Sequence, residues 1–191
     1  SNDALNGSAL LLNISTAPEI YGCTFKNHQS GSFIFSIVFS MFQMVYEFTD
    51  CTFENNYHTT STDNEDGGGS GIWIANNKQI AAGRLMQIYF TSIKFVNNVS
   101  PCVGGAFAYG RSPTVYPSEL YFDSCQFDGN TAETDGGALW IITKSPYEIQ
   151  YCNFRNNVAK KHGGSIMIDT SAPIATIQTS SFEIDTAGTD G

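Results

Sequence analysis

The chain has 191 residues, enough for one domain with a sizeable core. Lys and Arg total 9 against 18 Asp and Glu, a net charge of −9, which argues against a nucleic-acid partner, since such a partner asks for clustered positive charge. Only 14% of the residues are charged while Ser, Thr, Asn and Gly are plentiful, a polar and uncharged surface of the extracellular β-protein kind.

Taken from the start, the chain opens on polar residues and passes directly into a strand-like run, with no signal-peptide pattern. Residues 33–48 are its most apolar stretch. Ser36, Ser40, Gln43 and Glu47 interrupt it, and a membrane span wants roughly 20 mostly apolar residues, so it reads as two buried strands. Residues 57–68, 76–84 and 111–117 have the composition of loop insertions.

A period runs through the whole chain. Phe95, Phe127, Phe154 and Phe182 are each followed nine residues later by a glycine: Gly104, Gly136, Gly163 and Gly191. Phe-x-x-Asn motifs recur at Phe53/Asn56, Phe95/Asn98, Phe127/Asn130 and Phe154/Asn157. Six rows align on small-residue doublets, from GSALLLN at Gly7 to GGSIMID at Gly163. Their fourth column (Leu10, Phe33, Ile72, Phe107, Leu139, Ile166) and sixth column (Leu12, Phe35, Ile74, Tyr109, Ile141, Ile168) are large and two apart. That spacing predicts strands with both columns facing one interior.

The second block ends at the phenylalanine. Cys23, Cys51, Ile93, Cys125, Cys152 and Ser180 stand two residues before it, with a polar column between. Five residues before it stand Ile20, Phe48, Phe90, Phe122, Ile149 and Ile177. The odd spacing between these two inward columns predicts a bend between them. The shortest repeat has 27 residues and no helical period, so no helix is there to cover a crossover. The prediction is an all-β right-handed parallel β-helix, a solenoid of about six coils, in which inward columns and the FxxN asparagines stack as ladders. Asparagine also tolerates the left-handed backbone of tight turns. Residues 1–191 form one such domain, and its uncapped ends are those expected of a segment of a longer repeat protein or of one whose ends partners cover.

The GGA doublets (Gly104–Ala106, Gly136–Ala138), the GGS doublet (Gly163–Ser165) and the FxxN motifs resemble the repeats of the chlamydial polymorphic outer membrane proteins. More broadly the chain is similar to pectin-lyase-like right-handed β-helices. The bacterial resemblance implies a secreted β-helix used in adhesion, and an extracellular or cell-surface location. The pectin-lyase resemblance implies polysaccharide chemistry by clustered carboxylates with calcium and a base, or by paired carboxylates.

Candidate chemistry is sparse. Asp135, His162 and Asp190 precede successive doublets, which would bring them within about 5 Å steps of one another as a cation or acid/base cluster. Asp-Gly and His-Gly are also ordinary turn formers, which is the reading adopted. GGGSGIWIA lacks the aspartate of a calcium β-roll, and neither a nucleophile elbow nor a phosphate-binding loop occurs, so no catalytic residue and no cofactor is expected. The Cys23/Cys51 and Cys125/Cys152 pairs read as buried free thiols, and Cys102 as a residue that pairs outside this segment. Asn6, Asn13 and Asn98 lie in N-x-S sequons, the last followed by Pro101, and are the glycosylation candidates.

One column departs from the rule that outward positions are polar. The fifth column of the doublet strand reads Leu11, Ile34, Trp73, Ala108, Trp140 and Met167, apolar in every row. Such a stripe marks an interaction surface for other protein chains, copies of this one first, or for polysaccharide, unless a loop such as residues 111–117 covers it. The expected function is a non-catalytic extracellular structural or adhesive module of a coat or filament. The alternatives are a carbohydrate-active enzyme and a carbohydrate-binding adhesin.

Overall fold

A computed structural model describes residues 10–14, 19–29, 33–37, 44–58, 69–75, 86–109, 118–143, 145–170 and 174–188. The insertions predicted at 76–84 and 111–117, and most of that at 57–68, lie outside these residues. Six rungs follow in chain order. The first holds β1 (Leu10–Ile14), β2 (Glu19–Tyr21) and β3 (Thr24–Lys26), and the second β4 (Phe33–Ile37), β5 (Met44–Thr49) and β6 (Thr52–Glu54). The third holds β7 (Ile72–Ala75), β8 (Met86–Thr91), β9 (Lys94–Val96) and β10 (Val99–Ser100). The fourth holds β11 (Phe107–Tyr109), β12 (Ser118–Asp123), β13 (Gln126–Asp128) and β14 (Thr131–Ala132). The fifth holds β15 (Leu139–Thr143), β16 (Tyr147–Gln150), β17 (Asn153–Arg155) and β18 (Val158–Ala159). The sixth holds β19 (Ile166–Thr170), β20 (Ala175–Gln178), β21 (Ser181–Glu183) and β22 (Thr186–Ala187).

Each strand pairs in parallel with its counterpart one rung on. Three sheets carry six strands each, and the fourth (β10-β14-β18-β22) carries four, so four turns are complete on all sides. The chain is an all-β parallel solenoid, with no helix among the described residues. The apolar stretch at 33–48 contributes β4 and β5, as two strands.

The register is that of the sequence columns. Phe107 pairs with Ile72 and Leu139, and Phe127 with Phe95 and Phe154. Phe95, Phe127 and Phe154 stack at ring-centroid distances of 4.9 and 4.6 Å, near-parallel, and all are buried. Offset stacking of this kind adds to their burial. The polar column between cysteine and phenylalanine points outward, as at Lys94, Gln126 and Asn153.

The predicted bend is a single left-handed residue. Asp50, Ser92, Ser124 and Tyr151 have φ of 53, 57, 56 and 53°, and turn Phe48, Phe90, Phe122 and Ile149 inward along with the cysteine column. A second left-handed column closes the phenylalanine strand. Here the structure corrects the sequence reading by one residue: Asn55, Asn97, Gly129 and Asn156 take the positive φ, and the FxxN asparagine after each is free to face inward. The glycine doublet divides two tasks. Gly136 has φ of +65°, a backbone that a side chain disfavours, while a Cβ on Gly137 would lie 2.0 Å from the Gly164 carbonyl oxygen of the next rung.

Candidate interaction surface

The fifth column of the doublet strand is a continuous in-register line. Leu11 pairs with Ile34, Ile34 with Trp73, Trp73 with Ala108, Ala108 with Trp140, and Trp140 with Met167. The side chains of Leu11 and Ile34 lie outside the described residues. Trp73, Trp140 and Met167 are half-buried. Ala108 is 0% exposed and does not belong to an accessible stripe, which corrects the sequence reading. The reason is local. The turn at Gly104 folds back over the strand it precedes, so that a Cβ there would come within 3.1 Å of the Ala108 Cβ. The chain before β7 covers Trp73 in a related way, with the His58 ring edge-on to the indole at 6.3 Å. What stays accessible is therefore the smaller part of each big side chain, of two indoles and a thioether on one face.

The pre-doublet column also stacks. Gly104 N donates to the Asp135 carbonyl, and Gly136 N to the His162 carbonyl. Asp135 Oδ1 and His162 Nδ1 meet at 2.5 Å, with side chains 23% and 43% exposed. The structure thus joins two of the three predicted cluster residues, while Asp190 lies outside the described residues. Among the described residues no group of three His, Cys, Asp or Glu side chains is placed to hold a metal ion. As it stands, the pair ties two rungs together.

All five cysteines are free, with Cys51, Cys102, Cys125 and Cys152 buried. Cys125 Sγ donates to the Phe90 carbonyl at 3.3 Å and Cys152 Sγ to the Gln150 carbonyl at 3.2 Å. Burial pushes the Cys125 thiol well above its ordinary range, so it stays protonated as a small apolar filler.

The sequon asparagines part ways. Asn6 lies outside the described residues, and Asn13 sits in β1 with its side chain outside them. Asn98 is fully buried. Its Nδ2 donates to the Phe53 carbonyl at 2.9 Å and to Asn130 Oδ1 at 3.0 Å. A glycan on that nitrogen has no room, and Asn98 is a ladder residue instead. The ladder is regular: the main-chain N and Nδ2 of Asn56, Asn98 and Asn130 all donate to the Oδ1 one rung on, at 2.9–3.2 Å. Buried amides satisfied on every side hold the register against slippage.

One outward cluster escaped the sequence reading. On the face formed by β8 and β12, Tyr89 and Tyr121 stack at 4.5 Å with an interplanar angle of 7°. Tyr121 Oη and Gln87 Nε2 both donate to Glu119 Oε2 at 2.7 Å. Partial burial and the Glu119 carboxylate raise the Tyr121 phenol to about 12, so it remains a donor. The available signal was the alternation of Met86–Thr91 and Ser118–Asp123, which places both tyrosines outward in one column.

No helix among the described residues is long and apolar enough to cross a membrane. No curated protein and no solved structure matches this chain. A family model does: the Chlamydia polymorphic membrane protein (Chlamydia_PMP) repeat matches residues 124–141, from the left-handed corner at Ser124 through the Phe127–Asn130 turn and the Gly136–Gly137 doublet into β15.

Proposed function

We propose that this chain is a non-catalytic structural or adhesive module of a cell surface or extracellular coat, which packs against partner chains, copies of itself first, along the Trp73–Trp140–Met167 face. The observation that carries the reading is the in-register apolar line Trp73–Ala108–Trp140–Met167, whose three large side chains are partly exposed on either side of the buried Ala108. The equivalent outward column beside the phenylalanines is polar at every rung. A repetitive face of this kind suits lateral packing, and Trp and Met are among the side chains enriched at interface centres. The match to a Chlamydia polymorphic membrane protein repeat supports placing the module at a cell surface.

The test is electron microscopy and sedimentation of the native protein beside Trp140→Lys and Met167→Lys. The expected outcome is ordered sheets or bundles for the native chain and dispersal for both variants, with unchanged thermal melts. Dispersed native particles at every concentration would sink the homo-assembly reading.

A carbohydrate-binding adhesin is the second reading, supported by the half-buried indoles and by the Tyr89–Tyr121 pair, since aromatic faces stack on sugar rings. A sugar array probed with the native chain and with Trp140→Lys separates it from the first. The enzyme reading asks for several carboxylates and a basic residue on one open face. Among the described residues, Asp128 is engaged with Arg155, and Asp135 with His162.

A further inference from the structure

The sheet β2-β5-β8-β12-β16-β20 carries an outward column that reads Glu47, Tyr89, Tyr121 and Glu148 over four successive rungs: carboxylate, ring, ring, carboxylate. The two rings lie 4.5 Å apart at an interplanar angle of 7°. That separation is close to the rung spacing of about 4.8 Å, so the ring normals run along the solenoid axis. Each ring covers one face of the other and turns its second face toward a carboxylate rung, Tyr89 toward that of Glu47 and Tyr121 toward that of Glu148. The stack is held from the side, because Tyr121 Oη and Gln87 Nε2 both donate to Glu119. The two outer ring faces are thereby set in place before anything binds.

The charge on this face has one sign. Glu19, Glu47, Glu119, Asp123 and Glu148 stand at its outward positions, and no Lys, Arg or His does among the described residues. On the neighbouring faces Asp128, Glu133 and Asp135 each meet a base one rung on: Arg155, Lys160 and His162. Glu47 is exposed and has no such partner among the described residues, and Glu148 accepts from the neutral Gln178 amide at 3.1 Å. Partial burial, then Glu119 and Glu47, push the Tyr89 phenol above its ordinary value, so both carboxylates act on that ring. Uncompensated carboxylates attract a cation, and so does the π-face of a tyrosine.

We propose that this face docks an extended basic segment of a partner protein, one cationic side chain lying against the outer face of Tyr89 beside Glu47 and a second against the outer face of Tyr121 beside Glu148. Charge complementarity selects the occupant. A cation satisfies ring and carboxylate together, whereas a neutral sugar leaves Glu47 without a counter-charge. The net charge of −9 sets copies of this chain against one another here, so the partner is a different, basic protein. Arginine suits the half-sites better than lysine, because its planar guanidinium stacks on a ring and forks onto a carboxylate. Three rung spacings separate Glu47 from Glu148, about 14 Å, and an extended chain rises about 3.3 Å per residue. Two arginines four residues apart therefore reach both half-sites, with the segment crossing the strands along the solenoid axis. This face lies on a different sheet from the Trp73–Trp140–Met167 line, and the inference does not depend on the self-assembly reading.

The experiment titrates the full chain into a fluorescently labelled peptide, Arg-Gly-Ser-Gly-Arg, and reads anisotropy, with thermal melts to check that each variant folds. The expected result is saturable binding that weakens at least about threefold in Glu47→Gln and in Tyr89→Leu. Tyr89→Phe keeps the ring and binds as the native chain does. Glu54→Gln removes the same charge from β6, on another sheet, and Trp140→Lys alters the other face; both stay within about twofold of the native chain. An equal loss in Glu54→Gln and Glu47→Gln means diffuse attraction and overturns the site. So does equal binding of Gln-Gly-Ser-Gly-Gln, or a native chain that shows no saturable binding. Displacement of the peptide by cellotetraose, undiminished in Glu47→Gln, gives the face to a sugar and overturns the basic partner.

Discussion

The fifth and sixth rungs are built from the same columns and differ in what packs on them among the described residues. Phe154 and Asn157 sit between two rungs, their ring and amide engaged on both sides. In the sixth rung the corresponding residues are Phe182, half exposed, and Asp185, with one orphaned oxygen. The left-handed position changes too, from Asn156 to Ile184 at φ of 58°, a β-branched residue in a backbone that disfavours it. The same motif is therefore worth different amounts along the solenoid, because a parallel ladder stabilises a rung through its neighbours more than through the rung itself.

The largest effect that sharpens this comparison is in the phenylalanine column. Phe127→Ala empties a buried slot between two stacked rings and is expected to cost about 3–5 kcal/mol. Phe182→Ala removes a half-exposed ring and should cost about 1 kcal/mol. Equal losses in urea unfolding would mean that the end rung is as well covered as the middle.

Next comes the ladder. Asn130→Ala strands the main-chain N of Asn98 and the Phe95 carbonyl, both buried, for a loss of about 3 kcal/mol. Asp185→Asn works in the opposite direction. The new Nδ2 sits where the other asparagines donate to the preceding phenylalanine carbonyl, here that of Phe154, and about 1 kcal/mol of stability is gained. A destabilised Asp185→Asn chain, read by the same unfolding curves, would break the account of the orphaned oxygen.

The smallest effect lies on the outer surface. Asp128 accepts from Arg155 and Asn156, and the Arg155 hydrogen bond holds its carboxyl below the ordinary 3.8. A depressed folded-state value means that the pair's stabilisation is present above the unfolded pKa and is lost as pH falls through the folded one. The urea midpoint of Asp128→Asn should therefore fall less than that of the native chain between about pH 4 and pH 2. Solvent and salt screen this exposed pair, so the difference is small and shrinks further in high salt.

Much of this architecture was legible beforehand. The alternation within Leu139–Thr143 and the fixed spacing of phenylalanine, asparagine and glycine were sufficient for the parallel solenoid and for which columns face in. The site was less legible. Ala108 and Trp140 occupy the same column and look alike as outward apolar residues, yet the turn at Gly104 buries the smaller one. Asn98 satisfies a sequon as a string of letters, and the ladder encloses it. The left-handed residue is Asn97 where the motif drew attention to Asn98, because two adjacent asparagines do not reveal which of them turns and which stacks.

What the sequence by itself determined is periodic: strand, turn and inward columns, since alternation, glycine doublets and turn residues act over a few neighbouring positions. What only the tertiary structure decided depends on the rung above and the rung below. Whether an amide is sealed or a main-chain N finds a partner is set by residues about 27 positions or more away, and the one-dimensional repeat does not record how its neighbours close over it.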